Sequence, residues 1–70
     1  MKLHYYPETD SLYIELSDKP SVDSQEIVDE VVIDFDKNGH LVGIDIDNAS
    51  SKLNLQELET INLPQVLTQI

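Results

Sequence analysis

The stretch Val31–Ile46 constrains the fold more tightly than any other part of the chain. Asn38-Gly39, the strongest short-range signal for a two-residue β-turn, sits between two alternating runs. Pairing the runs around that turn sets Phe35 against Val42, Ile33 against Ile44 and Val31 against Ile46, all on one face. The other face then carries Glu30, Asp34, Asp36, Asp45 and Asp47, with Val32, Leu41 and Gly43. A slip of one residue would oppose Ile33 to Gly43 and Asp34 to Val42 and so mix the two faces. The pattern predicts an antiparallel hairpin that is apolar on one side and acidic on the other.

A second hairpin is expected at the start of the chain. Lys2–Tyr6 and Leu12–Leu16 read as strands joined by Pro7-Glu8-Thr9-Asp10, where Pro fixes φ and Asp can bond nearby backbone. Around Glu8-Thr9, Tyr5 meets Leu12, Leu3 meets Ile14 and Met1 meets Leu16, while Lys2 faces Glu15 and His4 faces Tyr13. Ser17–Ser24 reads as a loop. One strand is expected from about Gln25 to Asp36 and another from His40 to Asp47, and Asn48–Ser51 reads as a turn or a single helical turn. A helix is expected over Asn54–Ile61. Asn54 is a good N-cap, Glu57 completes a capping box, Leu53 and Leu58 are spaced as a hydrophobic staple, and Leu55, Leu58 and Ile61 form a stripe. That stripe predicts a lid on the apolar face of the sheet. Val66, Leu67 and Ile70 keep the tail apolar, which predicts a docked terminus. The expected fold is α+β: a four-stranded antiparallel meander of two hairpins with a short C-terminal helix on one face, residues 1–70 forming one domain.

The chain has 70 residues and no cysteine, so neither a disulfide nor a thiolate zinc site can staple it. A chain of this size buries only about 60% of its unfolded surface, and small scaffolds usually need a staple or a partner. A homodimer is therefore expected. Fourteen carboxylates against four lysines and no arginine give a net charge of −10. That balance disfavours nucleic acid and anionic membranes as ligands and favours basic proteins and divalent cations. No apolar run approaches the ~20 residues of a membrane span, and Met1–Tyr6 lacks the apolar core of a signal peptide, so a cytoplasmic protein is expected.

The segments Tyr6-Pro7-Glu8-Thr9-Asp10-Ser11-Leu12-Tyr13-Ile14-Glu15-Leu16, Val32–Ile46 and Asn48-Ala49-Ser50 together resemble the small prokaryotic "domain of unknown function 2283" family. Its pattern is Y-x-P-E-x-D-x-L-Y-I-x-L, a D-x-D-x-x-G hairpin, V-V-G-I-E-I and a late A-S. Tyr6 stands where the family often has Asp, and Asp45 where it often has Glu. The resemblance covers most of the chain up to Ser51, the tail Lys52–Ile70 matching less clearly, and implies a compact antiparallel sheet with a C-terminal helix. It carries no activity, cofactor or catalytic residue. Some similar proteins are encoded beside small toxin-like proteins, which suggests an antitoxin role.

Two constellations are candidates for chemistry. Asp34-Phe35-Asp36-Lys37-Asn38-Gly39 matches the opening of a calcium-binding loop, with Asp45 at its twelfth position. The twelfth residue is not the bidentate Glu, and the flanks alternate as strands where an EF-hand needs helices. Asp34, Asp36 and Asp45, with Asp47 close by, are nevertheless the candidate divalent-cation ligands. The second constellation is the acidic face, where Glu30, Asp34, Asp45 and Asp47 are the candidate docking residues for a basic protein. Glu30 is placed opposite Asp47, and like charges so placed repel, so neutralising the pair is expected to stabilise the fold. His4 and His40 have no Ser or Cys nucleophile at a recognisable spacing, and Gly39 and Gly43 make no phosphate loop. The expected function is a non-enzymatic, cofactor-free, self-associating interaction module with a basic, antitoxin-type partner; the alternative is a small cation-binding protein.

Overall fold

A computed structural model describes residues 1–64. They form β1 (Lys2–Tyr6), β2 (Ser11–Glu15), β3 (Asp23–Val28), β4 (Val31–Phe35), β5 (Leu41–Ile46) and one helical turn, α1 (Ala49–Lys52). The strands make a single antiparallel sheet in the order β1-β2-β5-β4-β3. The fold is α+β, but the sheet has five strands rather than four and is not a plain meander. β2 lies beside β5, so the chain crosses one end of the sheet before starting β3. The crossing is held by Val42 O, which accepts from Leu16 N (2.8 Å) and Ser17 N (3.2 Å), and by Val22 N donating to Phe35 O (2.9 Å). Three hairpin-connected strands with a fourth returning beside them form a Greek key.

The extra strand arises because the run read as Gln25–Asp36 breaks at Asp29-Glu30. Glu30 adopts φ 67, a left-handed conformation, and its N–H donates to the Glu26 carboxylate at 3.2 Å. Asp29 is a residue that suits turns, and the alternation of apolar residues continues through this one and hides it. A bulge between Glu26 and Val28 restores the pairing of Val28 with Val31.

The register of β1 with β2 is the expected one: Lys2 with Glu15, Leu3 with Ile14, His4 with Tyr13 and Tyr5 with Leu12. Met1 and Leu16 lie outside that ladder. Between β4 and β5, Val31 pairs with Ile46 and Ile33 with Ile44, also as expected. Phe35, however, pairs with Leu41 rather than Val42, across a bulge. The cause is the turn. Gly39 has φ 78, whereas Asn38 does not have a positive φ, so this is not a two-residue turn with both central residues left-handed. Gly39 N donates to Asp36 O (3.0 Å) and Asp36 N to His40 O (2.9 Å), which makes Lys37-Asn38-Gly39 a three-residue loop closed by a left-handed glycine.

Two apolar rows cross the sheet on one face: Tyr5–Leu12–Ile46–Val31–Val28 and Leu3–Ile14–Ile44–Ile33–Gln25. The opposite face carries His4–Tyr13–Asp45–Val32–Glu26 and Lys2–Glu15–Gly43–Asp34–Ser24. The expected lid over the apolar face is not there. Residues 54–61 are not helical, and the one helix among the described residues is the turn at Ala49–Lys52. An isolated helix of eight residues is marginal in water without a surface to pack on, and Leu58 and Ile61 remain 76% and 71% exposed. Among the described residues only Leu12, Val42 and Ala49 are buried apolar side chains. The expectation for Val66, Leu67 and Ile70 lies outside the described residues.

Candidate functional site

The polar face is organised by one aromatic ring. Tyr13 pairs with Asp45, but its side chain leans along the strand and lies across Gly43 on β5. A Cβ at Gly43 would fall inside the van der Waals envelope of the Tyr13 ring. The Tyr13 hydroxyl thereby reaches β4 and donates to Asp34 Oδ2 at 2.9 Å, while the Ser24 hydroxyl on β3 donates to Asp34 Oδ1 at 2.6 Å. One carboxylate so ties together β2, β4 and β3. Burial, then the hydrogen bond to Asp34, push the Tyr13 phenol up to about 12. Asp45 is also raised, by burial first and then by the charges of Asp47 and Asp34. The sequence reading placed Gly43 on this face without a role for it. A glycine inside a strand is the signal that could have found it, because such glycines often mark close approach.

A second cluster joins residues forty positions apart. Asp10, at φ 52 in the β1–β2 turn, accepts from Ser50 N at 3.1 Å, from the Ser50 hydroxyl at 2.6 Å and from the Tyr5 hydroxyl at 2.7 Å. Its backbone oxygen accepts from Ala49 N at 2.8 Å. The Ser50 and Tyr5 hydrogen bonds hold the Asp10 carboxyl below its ordinary range. Ala49 is fully buried beneath this clasp. The P-E-x-D and A-S segments are thus brought together to fasten α1 to the first hairpin.

Glu30 sits between two donors instead of confronting Asp47. Lys52 Nζ donates to Glu30 Oε1 and to Asp47 O, both at 2.7 Å, and Asn48 Nδ2 donates to Glu30 Oε2. The Lys52 hydrogen bond, ahead of that from Asn48, holds the Glu30 carboxyl low. Asp47 accepts from the Ser11 hydroxyl at 3.0 Å. The expected repulsion between Glu30 and Asp47 is therefore answered by Lys52. Glu30→Gln should lower the thermal midpoint, by more than Asp47→Asn does; a midpoint that rises would show that repulsion still governs the pair.

The calcium-type loop does not gather its acids. Asp36 Oδ1 accepts from the Asn38 and His40 backbone amides, each at 2.9 Å, and these bonds, that to His40 foremost, lower the Asp36 carboxyl. Asp34 is engaged by Tyr13 and Ser24, and Asp45 lies in the next row of the sheet. Among the described residues no group of three or more His, Asp or Glu side chains is placed to hold a metal ion. His4 Nε2 lies 3.7 Å from Glu15 Oε1, and His40 Nδ1 lies 3.8 Å from Asp36 Oδ2. Among the described residues no Ser hydroxyl hydrogen-bonds to either ring.

The signature segments and the sheet that they build can be compared with known proteins. The family described as "Protein of unknown function (DUF2283)" matches residues 2–50. The chain belongs to this family. The match takes in the whole sheet and ends at Ser50, on the clasp with Asp10. The protein is also similar to "Uncharacterized protein MJ0789" of Methanocaldococcus jannaschii, at 34% identity over 61 residues, covering 87% of this chain and 52% of that protein. The chain thus spans about half the length of this relative. No solved structure matches. Among the described residues no helix is long and apolar enough to cross a membrane.

Proposed function

We propose that this DUF2283 protein is a cytoplasmic, non-enzymatic interaction module that self-associates through the apolar face of its sheet and presents the carboxylate face to a basic protein. The carrying observation is the open apolar face, with only Leu12, Val42 and Ala49 buried among the apolar residues described. Such a sheet is half of a core. At the margins of that face Leu3, Tyr5 and Val28 are exposed.

Charge favours the same arrangement. Apolar faces pressed together leave both carboxylate faces outward, whereas contact between polar faces would oppose acid to acid. On the outward face the side-chain carboxylates of Asp34, Asp45 and Asp47 have no cation within 4.0 Å among the described residues. The raised Asp45 carboxyl reflects burial and then the crowding of these charges. Lysines or arginines of a partner would relieve it.

Mass action supplies the test. Folding coupled to self-association makes the thermal midpoint rise with protein concentration. Between 2 and 200 µM the midpoint should rise by several degrees, with a dimer mass by light scattering. A monomer mass and a fixed midpoint across that range would overturn the proposal.

A further inference from the structure

Resting on the self-association proposed above, we infer that residues 54–61 are a helix that forms only on the apolar sheet face of a second copy of the chain. The sequence carries the marks of a helix here: the Asn54 cap, Glu57 at the capping-box position and the stripe Leu55, Leu58 and Ile61. In the structure the first of these marks is engaged, but the segment is not helical. The Asn54 side-chain oxygen accepts from Gln56 N at 3.2 Å, the bond an N-cap makes to the second helical residue. A turn follows at residues 55–56. The cap bond is in place, and the turns that would extend it into a helix are not formed.

The protein's own sheet covers that stripe only in part. Leu53, Leu55 and Leu58 lie along an open groove with Leu3, Tyr5 and Leu12, yet Leu58 stays 76% exposed, Ile61 71% and Leu63 55%. The rows through Ile14, Ile44 and Ile33 and through Ile46 and Val31 complement a leucine–isoleucine stripe, and each copy offers the same rows. A two-fold arrangement lets each arm cover the other's sheet reciprocally. A chain of net charge −10 has few other faces that can meet a copy of itself without opposing carboxylates.

The experiment uses the full chain and two readouts. Cα chemical shifts of residues 54–61 report helix, and sedimentation reports mass, both across the same dilution series. Helical shifts should grow in step with the dimer fraction. Leu58→Asp combined with Ile61→Asp, at positions exposed in the free chain, should raise the dimer dissociation constant at least tenfold and abolish the helical shifts while leaving the dispersed sheet signals intact. A dimer whose residues 54–61 stay non-helical, or a double variant that dimerises as tightly as the wild type, would overturn this inference and leave self-association standing. Helical shifts unaffected by dilution would place the helix on its own sheet and also overturn it. A monomer at every concentration would overturn both.

Discussion

Gly43→Ala is expected to destabilise the protein by about 2 kcal/mol, lowering the midpoint by roughly 10 °C for a domain of this size. Nothing in an ordinary strand forbids alanine; the cost comes from the Tyr13 ring. The added methyl evicts the ring from the surface of β5, and the hydroxyl then loses Asp34. The companion experiment has the opposite sign. In a Tyr13→Ala background the space is empty, and replacing glycine by alanine in a strand should be neutral or stabilising by about 0.5–1 kcal/mol. A double-mutant cycle in denaturant measures this coupling directly. If Gly43→Ala costs the same with and without the ring, Tyr13 is not what requires glycine there.

Asp10→Asn should dissolve the clasp between the first hairpin and α1. At pH 7 its midpoint should fall well beyond that of Asp18→Asn, which makes the same charge change at an exposed position. Hydrogen-exchange protection of the Ala49 and Ser50 amides should drop by about tenfold or more. The acid profile gives an independent check. The folded Asp10 carboxyl titrates below its ordinary 3.8, so it binds its proton less readily in the folded protein than in the unfolded one. Its contribution is therefore fully present above about pH 4 and is lost as the pH falls through 3.8 towards the lower folded value. Wild type and Asp10→Asn should thus differ most near neutrality and converge at the acid end. Parallel profiles, with the gap unchanged at pH 2, would show that the carboxylate charge does not hold the clasp.

The legible parts of the fold were those in which alternation and pairing agree without interruption. Lys2–Glu15 and Leu3–Ile14, or Ile33–Ile44 and Val31–Ile46, follow from matching apolar with apolar across a turn. The Phe35 row was not legible, because Asp36 spends its carboxylate on the backbone of the loop and only Gly39 turns left-handed. Those local bonds lengthen the turn by one residue and shift the partner from Val42 to Leu41. The break at Asp29-Glu30 was hidden for the opposite reason: the side-chain pattern runs straight through it. The helix signals at Asn54–Ile61 are real as local chemistry, but the described chain leaves Leu58 and Ile61 of their stripe largely exposed. Of the candidate site, the acidic face was visible in the residues themselves. The reach of Tyr13 over Gly43, the neutralising position of Lys52 and the grip of Asp10 on Ser50 were not, since each joins residues that only the Greek key brings together.

The bulge that closes the break between β3 and β4 bears on what this sheet can become. β3 is an outermost strand, and an outermost strand invites others to add to it, the route by which small β-proteins grow into fibrils. Here its hydrogen-bonding ladder is interrupted between Glu26 and Val28, beside acidic side chains that repel an identical strand. Addition of a further strand at this edge is thereby discouraged, whereas the β1 edge at the far side of the sheet carries no such interruption.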